Sequence, residues 1–166
     1  MNITFKNVLS LLIILSLVGC VGNSTKPNQN DSRIQSLKNV EKKLLGYYSL
    51  WEGTPYRLGG VSKKGIDCSA FVRQAYASVF DVEVPRTTFG QAKIGKEVKK
   101  SELVPGDLVL FKTSRSVRHV GVVVHGNKFM HVSVKKGVIV SSLDNIYWRK
   151  KYWKAVRPDN GLVITS

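Results

Sequence analysis

Apolar residues Ile34, Leu37, Val40, Leu44, Leu45, Tyr48 and Trp51 recur at helical spacing, which predicts an amphipathic helix over residues 33–51. Ser32 with Gln35 offers a capping box at its start. A second helix is predicted over 68–80, with Phe71, Val72, Ala75 and Val79 on one face and Asp67 as its N-cap. A short helix follows Pro85, from about Thr88 to Ile94. After the turn Pro105-Gly106 the pattern changes to strand-like runs over 107–112, 119–124, 128–134 and 138–142, separated by turn residues. Helices first and an antiparallel sheet afterwards make an α+β fold.

The segment before this pattern is different in kind. Lys6 precedes the apolar run Val8 to Val18, too short to span a membrane comfortably and ending in Gly19-Cys20. Residues 1–19 therefore read as a signal peptide. The ending Leu17-Val18-Gly19-Cys20 resembles the lipobox of bacterial lipoproteins, which implies cleavage before Cys20 and a lipid on its sulfur. Several acyl chains on one residue anchor a protein stably where a single chain does not. Val21 rather than Asp after that cysteine indicates the outer membrane, facing the periplasm. Residues 20–31 are polar and read as the lipidated N-terminus and a flexible tether, reaching about 15–20 Å. One domain over 32–159 and a C-terminal tail over 160–166 complete the organisation.

Lipidation changes the cysteine arithmetic. The chain has two cysteines, so Cys68 becomes the sole free thiol of an exported protein, without a disulfide partner. The net charge of +15 fits anionic lipid or an acidic polymer. No nucleic-acid motif is visible, and export argues against that partner.

Cys68 falls at the first position of the second helix, where unpaired backbone N–H groups and the helix dipole favour a thiolate and offer part of an oxyanion hole. The adjacent Asp67 opposes this, so a positive imidazolium has to outweigh it. Three histidines exist: His119, His125 and His131. A three-residue turn at His125-Gly126-Asn127, with Asn127 in the left-handed conformation, pairs residue 121 with 131. His119 and His131 then become diagonal neighbours on one sheet face. His125 sits in the turn as a solvated residue. The set suits a thiol nucleophile, a histidine base and an orienting third group. It matches no compact zinc site.

Five segments in order carry a family resemblance: Trp51-Glu52-Gly53-Thr54-Pro55-Tyr56-Arg57, Gly65-Ile66-Asp67-Cys68-Ser69, Pro105-Gly106-Asp107-Leu108-Val109-Leu110-Phe111, His119-Val120-Gly121 and Phe129-Met130-His131. They resemble the NlpC family of papain-like cell-wall peptidases, from about residue 34 to Pro158. The resemblance implies a papain-like fold, N-terminal helices packed on a five- or six-stranded antiparallel sheet. It implies hydrolysis of a peptide bond in peptidoglycan stem peptides by a monomer, without metal or cofactor. By the family pattern Cys68 is nucleophile, His119 general base and acid, and His131 the orienting residue, while Tyr56, Asp67 and Ser69 contact substrate. Ala70 stands where the family usually has glycine, a difference that bears on substrate choice rather than chemistry. Two other classes remain open on the same residues: an amidase or lipid acyltransferase, and a non-catalytic wall-binding lipoprotein.

Overall fold

The computed structural model describes residues 28–159. The signal peptide, Cys20, most of the tether and the tail over 160–166 lie outside the described residues. In chain order the elements are α1 (Gln29–Trp51), β1 (Val61–Ser62), β2 (Gly65–Ile66), α2 (Cys68–Phe80), α3 (Thr88–Gln91), β3 (Lys96–Val98), β4 (Leu108–Lys112), β5 (Arg118–His125), β6 (Lys128–Ser133), β7 (Gly137–Ser142), α4 (Ile146–Lys151) and β8 (Tyr152–Arg157). β1 and β2 form a small hairpin, and the main sheet has six strands in the order β3-β8-β4-β5-β6-β7, antiparallel throughout. The α+β, papain-like architecture expected from the sequence is the one observed.

The first helix starts earlier than its apolar spacing indicates. Asn28, not Ser32, is the N-cap, its side chain accepting the Asn30 amide at 3.3 Å. Asp31 falls in the first turn, where a negative charge suits the helix dipole. Helix thus replaces the last residues assigned to the tether. Its buried face also differs. Leu44 and Tyr47 are buried, whereas Ile34 and Leu45 are 50% and 38% exposed. The stripe that packs inward is Val40, Leu44, Tyr47, Tyr48 and Trp51, because α1 meets α2 and the sheet along its second half.

Strand β5 is apolar at every position from Val120 to Val124 because both faces of the sheet are covered. Val120, Val122 and Val124 join Leu108, Leu110, Met130 and Val132 under α1 and α2. Val109, Phe111, Val123, Phe129, Leu143 and Ala155 form a smaller cluster on the opposite face, packed by Trp148 and Tyr152. The turn before β4 is fixed by Asp107, fully buried and gripped by Arg157 through Nε at 2.7 Å and Nη2 at 2.8 Å. The Tyr76 hydroxyl donates to the Gly106 carbonyl from α2, tying the same turn to the helical layer.

The β5–β6 register matches the expectation, but by different means. Val122 pairs with Met130, which continues to Gly121 opposite His131. The connecting turn has two residues, since His125 pairs with Lys128, and a bulge between Val123 and His125 supplies the extra residue. The left-handed position is Gly126, at φ 50°, rather than Asn127. Glycine takes that conformation without the Cβ penalty that Asn127 would carry.

Candidate active site

Strand β2 leads straight into α2, and the junction carries Cys68. Asp67, extended at φ −93° and ψ 167°, caps the helix, its Oδ1 accepting the Ala70 amide at 2.8 Å. Cys68 is therefore the first helical residue, with its side chain buried. Ser69 Oγ donates to Asp67 Oδ1 at 3.0 Å, and the Gly59 amide donates to Oδ2 at 3.0 Å.

Arg86, on the segment leading into α3, answers the charge of Asp67. Its Nη1 meets Oδ1 at 3.0 Å and its Nη2 meets Oδ2 at 2.7 Å, a two-pronged contact, while Nη1 also reaches Ser69 Oγ at 3.0 Å. Burial pushes the Asp67 carboxyl up, but Arg86, the Ala70 amide and Ser69 together hold it below the ordinary range. The counter-charge that the sequence reading sought in an imidazolium is a guanidinium.

At the thiol, burial works against the thiolate expected from the helix start. Burial pushes the Cys68 thiol up, aided by the charge of Asp67, and the Thr88 hydroxyl 3.8 Å away and the amides of Val120 and Ser69 offset this only in part. Val120 follows His119 directly, so the sulfur sits against the end of β5 that carries the imidazole. Cys68, His119 and Tyr56 line one groove of about 450 Å³. Burial raises the Tyr56 phenol, aided by the charge of Asp67 and by any charge that develops on Cys68, so it keeps its O–H as a donor.

His119 pairs with Phe111 across β4 and β5 and reaches diagonally to His131, with Nε2 3.0 Å from His131 Nδ1. Gly121 lies between them. A Cβ there would stand 2.5 Å from Phe129 Cδ2 and 2.8 Å from the Met130 carbonyl, so only glycine admits this approach. His131 Nε2 continues to Ser141 Oγ at 2.9 Å on β7. The directions of these two bonds depend on the tautomers, and they are set if Nδ1 of His119 carries no proton. His119 Nε2–H donates to His131 Nδ1, and His131 Nε2–H donates to Ser141.

Aromatic rings enclose the pair. Trp148 of α4 stacks on His119 at 5.2 Å and meets His131 edge-on at 4.8 Å, and Phe129 stacks on His131 at 4.9 Å. This burial pushes His119 down to about 4 and His131 to about 3, the latter also through His119. Both imidazoles are neutral at pH 7. His125 lies apart, its Nδ1 2.9 Å from Glu41 of α1. Among the described residues no cluster of three or more His, Cys, Asp or Glu could hold a metal ion.

Sequence reasoning missed Arg86, Thr88, Ser141 and Trp148. Ser141 was within reach of it, because the β6–β7 register pairs His131 with Ile139 and leaves position 141 diagonal to the ring. Arg86 and Thr88 approach from a loop and a four-residue helix that no periodicity connects to α2.

Known proteins share this architecture. The NlpC/P60 family model matches residues 53–157. The chain is 43% identical to the probable endopeptidase NlpC of Escherichia coli K12, covering 90% of this chain and 97% of that protein. It is 36% identical to the murein DD-endopeptidase MepS/murein LD-carboxypeptidase of the same organism, covering 92% and 91%. A solved NlpC/P60 family protein from Bacillus cereus superposes with a TM-score of 0.64 at 26% identity, over 70% of this chain and 39% of that one. The NlpC/p60 domain of the peptidoglycan hydrolase SagA gives 0.60 at 26% identity, over 70% and 97%. The chain belongs to the NlpC/P60 family.

Proposed function

We propose that this protein is a peptidoglycan endopeptidase that cuts a peptide bond of the stem peptides by acyl transfer, with Cys68 as nucleophile, His119 as general base and acid, and His131 as the residue that orients it. One observation carries the reading: a buried thiol at a helix start and a neutral imidazole, backed by a second imidazole, line one groove. The relatives named endopeptidases, 43% and 36% identical along nearly their whole length, support the substrate class.

Because burial raises the thiol and lowers His119, the resting pair is uncharged. Proton transfer from Sγ to His119 Nδ1 accompanies attack on the scissile carbonyl, forming the S–C bond. The oxyanion is received by the Cys68 amide at the start of α2, with the Tyr56 hydroxyl beside it. His119 then protonates the departing nitrogen as the C–N bond breaks, and water activated by the same ring releases the acyl group. His131 holds Nε2–H of His119 throughout and Ser141 holds His131. Tyr56 lines the groove on the other side of the sulfur, where the acyl half of the substrate lies, while Asp67 and Ser69 are buried behind it and held by Arg86 and the Ala70 amide.

The leader ending in Leu17-Val18-Gly19-Cys20 supports a lipid anchor on Cys20, in the outer membrane and facing the periplasm. The test is mass spectrometry of products after incubation with defined muropeptides, and separately with phospholipid. Cleaved stem peptides with wild type and none with Cys68→Ala are expected. Modified phospholipid with intact muropeptides would instead identify a lipid acyltransferase.

A further inference from the structure

The groove beside Cys68 has a wall that the reaction above leaves without a role. It is flanked by the start of β5 and by the β6–β7 turn, which contribute one cation each, Arg118 and Lys135. No carboxylate lines this groove, and neither cation belongs to an ion pair among the described residues. Arg118 is held in place: Nη1 donates to the carbonyls of Ser114, Arg115 and Val117 at 3.2–3.3 Å, and the guanidinium lies 5.7 Å from the Trp153 ring. Its remaining N–H groups and its charge have no acidic partner. Lys135 is exposed at the tip of its turn, with only its backbone amide engaged, to Ser133 Oγ. Two uncompensated cations over a concave wall focus a positive potential into it.

We infer that Arg118 and Lys135 form a carboxylate-binding subsite for the leaving half of the substrate. The side follows from the proposed chemistry, on which this inference rests. His119 hands its proton to the departing nitrogen, so the residue carrying that nitrogen lies on the His119 side of the sulfur. Arg118 precedes His119 in β5, and Lys135 follows the strand that carries His131. A planar guanidinium and a mobile ammonium suit a carboxylate, the one being a fixed fork and the other an adjustable point charge. Two sources in stem peptides share this chemistry: the C-terminal carboxylate of a short leaving peptide and the side-chain carboxylate of a diamino acid.

Three synthetic stem peptides test this: one unmodified, one amidated at the C-terminus, and one amidated on the diamino acid side chain. For the wild-type protein, amidation at one of the two positions is expected to raise KM about tenfold with kcat little changed, the loss expected for one charge-assisted contact. The position that matters identifies the source. Lys135→Gln and Arg118→Gln should abolish that discrimination, and Lys135→Arg should retain it. The exposed Lys135 keeps the test valid if Arg118→Gln unfolds. Equal cleavage of all three peptides by wild type, or an equal loss on all three in the variants, would remove the subsite and leave the endopeptidase standing. No cleavage of any peptide would overturn both.

Discussion

Trp148 lies flat against His119, with ring centroids 5.2 Å apart and planes 20° from parallel. This contact does two jobs with opposite electrostatic signs. It keeps water from the imidazole, which holds the resting ring neutral, and it offers a π face to the imidazolium that forms during the reaction. Trp148→Ala should therefore lower kcat/KM more than tenfold and move the acid limb of the pH profile up, as water reaches His119 and its pKa returns from about 4 toward 6.5. Trp148→Phe should fall between. A profile whose acid limb stays in place in the Ala variant would assign Trp148 to packing alone.

The same burial makes the fold sensitive to acid. His119 and His131 titrate near 4 and 3 in the folded protein and near 6.5 when unfolded. Between those values the unfolded chain binds more protons, so stability falls as pH is lowered from 6.5 toward 4, by about 1.4 kcal/mol per pH unit for each histidine. Urea unfolding at pH 7 and pH 4.5 measures this. The double variant His119→Gln/His131→Gln should show a flatter dependence over that window, whatever its stability at pH 7. An unchanged slope would place the acid sensitivity elsewhere.

How much of this was legible in the sequence depends on the range of the interaction. Asp67 before Cys68 is a local capping signal, and helix α2 begins and ends where the pattern places it. The approach of His119 to His131 is a two-strand relation, readable from alternation and turn length, although the bulge and Gly126 achieve it differently from a three-residue turn. The opposing effect at the thiol is not legible, because a helix start is visible in the sequence and burial is not. Desolvation is the larger effect at Cys68. The start of α1 was misplaced for a plainer reason: Gln29, Asn30, Asp31 and Ser32 carry no apolar periodicity, yet a first turn tolerates polar residues once Asn28 caps it.

Arg86 tests the polar side of the site. It is the partner of an Asp67 whose side chain is 10% exposed, and removing it strands that carboxylate. Arg86→Ala should destabilise the fold by about 2–3 kcal/mol, at or just below the bottom of the range of about 3–5 kcal/mol for breaking a buried pair, because the guanidinium itself is 35% exposed. Arg86→Lys should recover only part, since an ammonium cannot meet both oxygens and Ser69 together. Combining Asp67→Asn with Arg86→Ala should cost less than the sum of the single changes. Additive losses in thermal unfolding would show that the two residues act independently.

The protonation state of Cys68 decides how the reaction begins, and it can be read directly. A resting thiolate–imidazolium pair would alkylate rapidly well below neutrality. The burial described above predicts the reverse, with an inflection above the ordinary thiol range. The Thr88 hydroxyl, 3.8 Å from the sulfur, is the largest of the influences that lower the thiol's pKa. Thr88→Val should push the inflection higher still and slow alkylation at pH 8 several-fold, and Thr88→Ser should restore it. Because Thr88 belongs to a short helix outside the main core, a conservative change there leaves folding intact and isolates the electrostatic effect. Rapid iodoacetamide labelling at pH 6 would show that the pair is already ionised before substrate arrives. Proton transfer would then precede attack rather than accompany it.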